Sequence, residues 1–167
     1  MAQVSNRQLF FRALLVGVIL TLAGCTVALT PAYDAGIVSG VNAANEQALI
    51  LFSEVSGGAS AARYPKLAST YDEIIGKFDA LRLRAAARDV PDLGRRLSGR
   101  LSEVCSDDPD GCANSSPGAL QAIVDNLQRM KQENRQNGIN ALEVAAFKNA
   151  HETSVEQVLV VETALQR

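Results

Sequence analysis

Few groups in this chain are able to do covalent or metal chemistry: three cysteines, Cys25, Cys105 and Cys112, and a single histidine, His151. The histidine opens the run HETSV, so an HExxH zinc helix would need its second histidine at Val155. The Glu-x-x-His spacing of di-iron bundles would need a glutamate at Lys148. Neither requirement is met, and His151 is expected on a helix surface or in a local hydrogen bond, with no catalytic role. Cys105 and Cys112 frame CSDDPDGC, a spacing that rules out a redox CxxC pair. A zinc site would need further cysteine or histidine ligands that the chain lacks.

The charged residues offer two more candidates. Ser106, Asp108 and Asp110 alternate and Gly111 follows in sixth place, the opening pattern of a calcium loop, but the twelfth position holds Pro117 instead of a bidentate glutamate. A solvated acidic turn is the expectation. Six arginines, Arg82, Arg84, Arg88, Arg95, Arg96 and Arg100, lie close together in sequence. Guanidinium forks suit phosphate and carboxylate, so this patch is a candidate contact for lipid headgroups, lipopolysaccharide or an acidic partner. The competing reading is local neutralisation by Asp79, Asp89, Asp92 and Glu103. There is no tryptophan, and beyond the N-terminal region only Phe52, Phe78 and Phe147 offer phenyl rings, poor material for stacking sugars or bases. No catalytic residues, metal or dissociable cofactor are expected, and the chain is not read as an enzyme.

Cys25 belongs to a different chemistry. The chain opens with Arg7 and Arg12 and no acid, then runs apolar from Ala13 to Ala23. That run is shorter than the ~20 residues of a membrane-crossing helix and suits a signal-peptide core. It ends in Leu22-Ala23-Gly24-Cys25, which resembles the lipobox of bacterial lipoprotein precursors. The resemblance covers only residues up to Cys25. It implies cleavage between Gly24 and Cys25, diacylglycerol on the Cys25 thiol and an acyl chain such as palmitate on the new amino group. Each buried CH₂ adds ~0.8 kcal/mol, so such chains hold a protein durably on a membrane. In those lipoproteins an aspartate after the cysteine favours the inner membrane. Thr26 therefore points to the outer membrane, on its inner leaflet facing the periplasm. Export places Cys105 and Cys112 in an oxidising compartment, where a pair in a turn-rich loop reads as a disulfide of about 2 to 3 kcal/mol.

Those assignments divide the chain into a signal peptide over 1–24, a lipidated tether over 25–34 and one folded domain over 35–167. Removing Arg7 and Arg12 takes the formal charge from −2 to −4, which argues against a nucleic-acid partner. The elements that must carry everything else read as helices. Ile37, Val41, Ala44, Ala48, Leu51 and Val55 draw one stripe, ended by Ser56-Gly57-Gly58. Tyr64, Leu67, Tyr71, Ile74, Phe78, Leu81 and Ala85 draw a second, which stops before Pro91. Asp92 is expected to cap a short third helix buried through Leu93, Leu97, Leu101 and Val104. Ser116 is expected to cap a fourth, with Pro117 at its first position and Leu120, Ile123, Leu127 and Met130 inward. Asn137-Gly138 either breaks or bends it. The last segment carries Leu142, Ala145, Ala146, Val155, Val158, Leu159 and Val161 as its apolar set.

The fold class expected is all-α, a small bundle of four to five antiparallel helices. The function expected is non-covalent binding by a membrane-anchored periplasmic lipoprotein, as adaptor or accessory subunit of an envelope assembly, with membrane lipid and an envelope protein as partners. An immunity or inhibitor lipoprotein that caps a toxin or hydrolase is the first alternative, for which a toxin gene next door would speak. A carrier of an apolar ligand is the second, and would show a cavity along the Tyr64 to Leu81 stripe.

Overall fold

The computed structural model describes residues 28–101 and 110–166. Among them are five α-helices: α1 Ala35–Glu54, α2 Tyr64–Ala86, α3 Asp92–Arg100, α4 Ser116–Gln136 and α5 Ala141–Ala164. A single 3₁₀ turn, Ala61–Arg63, precedes α2. The fold is all-α. The only extended pairing among the described residues is one antiparallel bridge, Ala59 with Ile139.

The four long helices form a closed antiparallel ring in the order α1, α2, α4, α5, with α1 and α5 touching least. Direction follows from side chains that join helix ends. Arg84 near the end of α2 meets Asp34 just before α1, and Ser116 at the start of α4 meets Glu162 near the end of α5. Asp34 also caps α1, accepting from Gly36 N at 2.8 Å. Asn140 caps α5 in a reciprocal box, accepting from the Leu142 and Glu143 amides while Asn140 N donates to Glu143 Oε2.

The stripes of α1, α2 and α4 meet in the core as their spacing requires, with Tyr64 half-buried at the margin. Asn137-Gly138 breaks the chain between α4 and α5. Gly138 sits at φ 78°, where a side chain is disfavoured, and its amide still donates to Asn134 O at 3.2 Å. The turn then pairs with the α1–α2 connection, Ala59 N to Ile139 O and Ile139 N to Ala59 O, both 2.8 Å. Asn134 Nδ2 donates to the same Ala59 carbonyl at 3.0 Å, joining the last turn of α4 to the α1–α2 connection at one end of the bundle.

Four expectations about the helices fail. Ser116 is the first helical residue of α4 rather than its cap, which is Ser115, and its hydroxyl turns to Glu162 instead. Asp92 is the first helical residue of α3 rather than its cap, which is Pro91; its carboxylate pairs with Arg95 in the first turn instead. Leu93, Leu97 and Leu101 are 44, 40 and 54% exposed, while Gly94 and Ser98 face inward. The reason is space. A Cβ at Gly94 would stand 1.9 Å from the Leu29 carbonyl oxygen, so only a small residue lets the incoming chain lie there. Ser98 Oγ accepts from Ala113 N at 3.1 Å on the same face. In α5, Leu142 is 80% exposed and Ala145 and Ala146 are exposed too. The buried stripe runs through Val144, His151, Val155, Val158 and Glu162, and with half-buried Phe147 between the first two it keeps a three-and-four spacing that passes through two polar residues.

Candidate functional site

Two buried polar groups and one open groove mark the bundle. The first group lies at the end where α2 and α5 finish and α4 begins. Arg88 Nη1 and Nη2 donate to the two carboxylate oxygens of Glu162, each at 2.8 Å, in a bidentate fork. Ser116 Oγ donates to Glu162 Oε1 at 2.5 Å, and Arg88 Nη2 also reaches Asn114 Oδ1 at 2.8 Å. Asn114 Nδ2 in turn donates to Ala85 O at 3.0 Å. The side chains of Arg88 and Glu162 are 9 and 0% exposed. A desolvated pair is tolerated only when its remaining hydrogen bonds are filled, as they are here. With both charges compensated, this cluster locks three helix ends together rather than presenting a reactive group.

The second is His151, which is fully buried and bonded to a distant helix, where a surface position or a local hydrogen bond was expected. Its ring lies between Phe52 and Phe78, with centroids 5.3 and 5.5 Å away, the second edge-on. Nε2 stands 2.9 Å from Asn45 Oδ1, the only polar partner offered by α1. Nδ1 has no hydrogen-bond partner among the described residues. Burial in this apolar setting pulls the imidazole pKa down to about 4, against a weak upward pull from Glu152. The ring is neutral at pH 7, and its neighbours among the described residues, Asn45, Phe52 and Phe78, include no nucleophile.

The arginine patch does not act as one unit. Arg82 pairs with Asp79, Arg84 forks onto Asp34, and Arg88 is buried on Glu162. The Arg84 fork holds the Asp34 carboxyl below its usual range. Arg95 spans Asp92, Asp110 and the Val90 carbonyl. Arg96 and Arg100 are exposed on α3, and neither has an ion-pair or hydrogen-bond partner among the described residues. Asp110, a supposed calcium ligand, is thus engaged by Arg95. Among the described residues no group of three or more histidines, cysteines or acids is placed to hold a metal.

The groove lies between α1 and α5, where the ring is loosest. It is open, about 700 Å³, with Leu49, Val155 and Leu159 along its apolar floor and Glu152 and Glu156 among its polar members. Val160 also lines it and is 62% exposed. It does not follow the Tyr64 to Leu81 stripe, whose members from Leu67 onward pack into the core.

Gly24, Cys25, Val104, Cys105, Ser106 and Asp108 lie outside the described residues. Cys112 is disulfide-bonded. No described helix is long and apolar enough to cross a membrane. Compared with protein-family models, curated proteins and solved structures, the chain finds no match in any of the three.

Sequence reasoning missed Glu162, Asn114 and Asn45, and placed Ser116 only as a helix start. For Glu162 and His151 a signal existed: the spacing from Val144 through Val155 and Val158 continues through both. For Asn114 and Asn45 there was none, because their partners come from other helices.

Proposed function

We propose that this chain is a lipoprotein held on a membrane through Cys25 and working by non-covalent binding, with the α1–α5 groove as the surface that receives an envelope protein. The open groove carries this reading. An apolar floor flanked by acids is what an amphipathic partner helix with basic flanks needs. Its openness suits a docked helix better than an enclosed apolar ligand. The LAGC sequence at Leu22 to Cys25 supports the anchor, and Thr26 supports delivery to the periplasmic face of the outer membrane.

Fractionation of wild type beside Cys25→Ser tests the anchor: the variant is expected in the soluble fraction, and equal solubility of both ends that part of the reading. The groove is tested by affinity purification of the native lipoprotein from its own membranes beside Val160→Glu. A partner recovered with wild type and lost with the variant is the expected result. Equal recovery would remove the groove from its role.

A further inference from the structure

Helix α3 is attached by its small residues and leaves its large ones outside. Gly94 and Ser98 rest on Leu29 and Ala113, and α3 packs on no other described helix. Leu93 and Leu97, one turn apart, are 44 and 40% exposed. At 3.6 residues per turn, Arg96 and Arg100 form the neighbouring column. These are the two arginines of the patch that carry no partner among the described residues. The outward face of α3 is therefore a basic and apolar strip, the pattern of a helix that lies in a membrane interface.

What covers that strip follows from where the chain leads. The Leu29 backbone lies against Gly94, and Cys25 stands only four positions before Leu29. Fully extended, that stretch reaches ~14 Å between the two Cα atoms. A lipid on Cys25 would thus hold α3 within one helix diameter or so of the bilayer surface. We propose that the Leu93, Leu97, Arg96 and Arg100 face of α3 docks on the anionic phospholipid surface to which Cys25 tethers the chain, an inference that rests on the anchor reading. The leucines enter the boundary between headgroups and acyl chains, and the two guanidinium forks take phosphate oxygens. An anionic surface strengthens such contact on the order of fivefold per arginine. Docking points the opposite end of the bundle, with Gly138 and Leu142, away from the membrane.

The chain has no tryptophan, so Leu97→Trp and Leu142→Trp in the full-length protein each give a single reporter. Both positions are solvent-exposed, so neither exchange disturbs the core. Each protein is purified from membranes, its acylation read by intact mass, and reconstituted in vesicles carrying a fixed share of brominated phosphatidylcholine. The host lipid is either phosphatidylcholine or phosphatidylglycerol. The expected result is blue-shifted emission and strong loss by bromine quenching for Leu97→Trp, greater in phosphatidylglycerol and reduced by Arg96→Glu with Arg100→Glu, while Leu142→Trp stays water-exposed. An unmodified Cys25 overturns the anchor reading and the docking with it. A lipidated Cys25 with Leu97→Trp as exposed as Leu142→Trp overturns the docking alone. Equal quenching in both host lipids overturns the anionic class. Shielding from acrylamide without bromine quenching means that a protein or a second copy covers the face, and overturns the proposal.

Discussion

At the scale of single residues, the chemistry of this protein is set by what burial does to polar groups. His151 keeps a folded-state pKa near 4 while the unfolded chain holds its ordinary value of 6.5, so on acidification the unfolded state takes up the proton first. Stability from the neutral ring is intact above pH 6.5 and falls as pH drops towards 4, by about 3 kcal/mol in all. His151→Met is expected to flatten that slope, read as urea midpoints across the window. A slope unchanged in the variant would contradict the assignment. Asp34 acts in a lower window: its depressed pKa stabilises above 3.8, and that part is lost only as pH falls through the folded value. Glu162 and Arg88 obey a stricter rule, since removing one charge strands the other. Arg88→Ala should cost about 3 to 5 kcal/mol in chemical denaturation, and pairing it with Glu162→Leu should recover much of the loss. Tyr71 tests the reverse case. Its buried hydroxyl has no hydrogen-bond partner among the described residues and burial pushes its pKa up to about 12, so Tyr71→Phe is expected to hold or raise stability by about 1 kcal/mol. A marked loss would reveal a hydrogen bond the structure does not contain.

At the scale of elements, helix existence was readable because it depends on neighbours three and four residues away, and α1, α2 and α4 bury the faces their spacing draws. The orientation of α3 was not. Its leucines at 93, 97 and 101 make as regular a column as any in the bundle, yet the inward face belongs to Gly94 and Ser98 because the chain at Leu29 passes too close for a larger side chain. Exchanging Leu93 and Leu97 together for glutamine should therefore change thermal stability by less than about 0.5 kcal/mol each. Leu127→Ala, in the core, should cost about 2 to 5 kcal/mol in the same assay. In α5 the expected set counted apolar residues only, so it placed Val155 and Val158 correctly and Leu142, Ala145 and Ala146 wrongly. The true stripe admits His151 and Glu162 because Asn45 and Arg88 come from other helices to meet them. The break after α4 rests on Gly138. Gly138→Ala should cost about 1 to 2 kcal/mol for its left-handed backbone, with added crowding against Ala59 O at 2.9 Å.

At the scale of the whole molecule, the ring of four helices is unevenly closed. α2 and α4 pack most extensively on each other, and α1 and α5 meet least, which leaves the groove open between them. Amide exchange should be slowest in α2 and α4 and fastest, among the described helices, in α3, which packs on no other of them. Uniform protection across all five would contradict this ordering. The polar features divide by end: Asp34, Arg84, Arg88, Asn114, Ser116 and Glu162 join helix termini at the end where the chain enters, and the Ala59–Ile139 bridge closes the other. By itself the sequence determined that the chain is helical, where the long helices run and, through the LAGC run, where an anchor is expected, because each is encoded in residues within a few positions of one another. The tertiary structure alone decided which arginines are free, which leucines face outward and which polar groups are buried. Those outcomes depend on side chains and backbone brought together from distant parts of the chain, as Leu29 is to Gly94, Asn45 to His151 and Arg88 to Glu162.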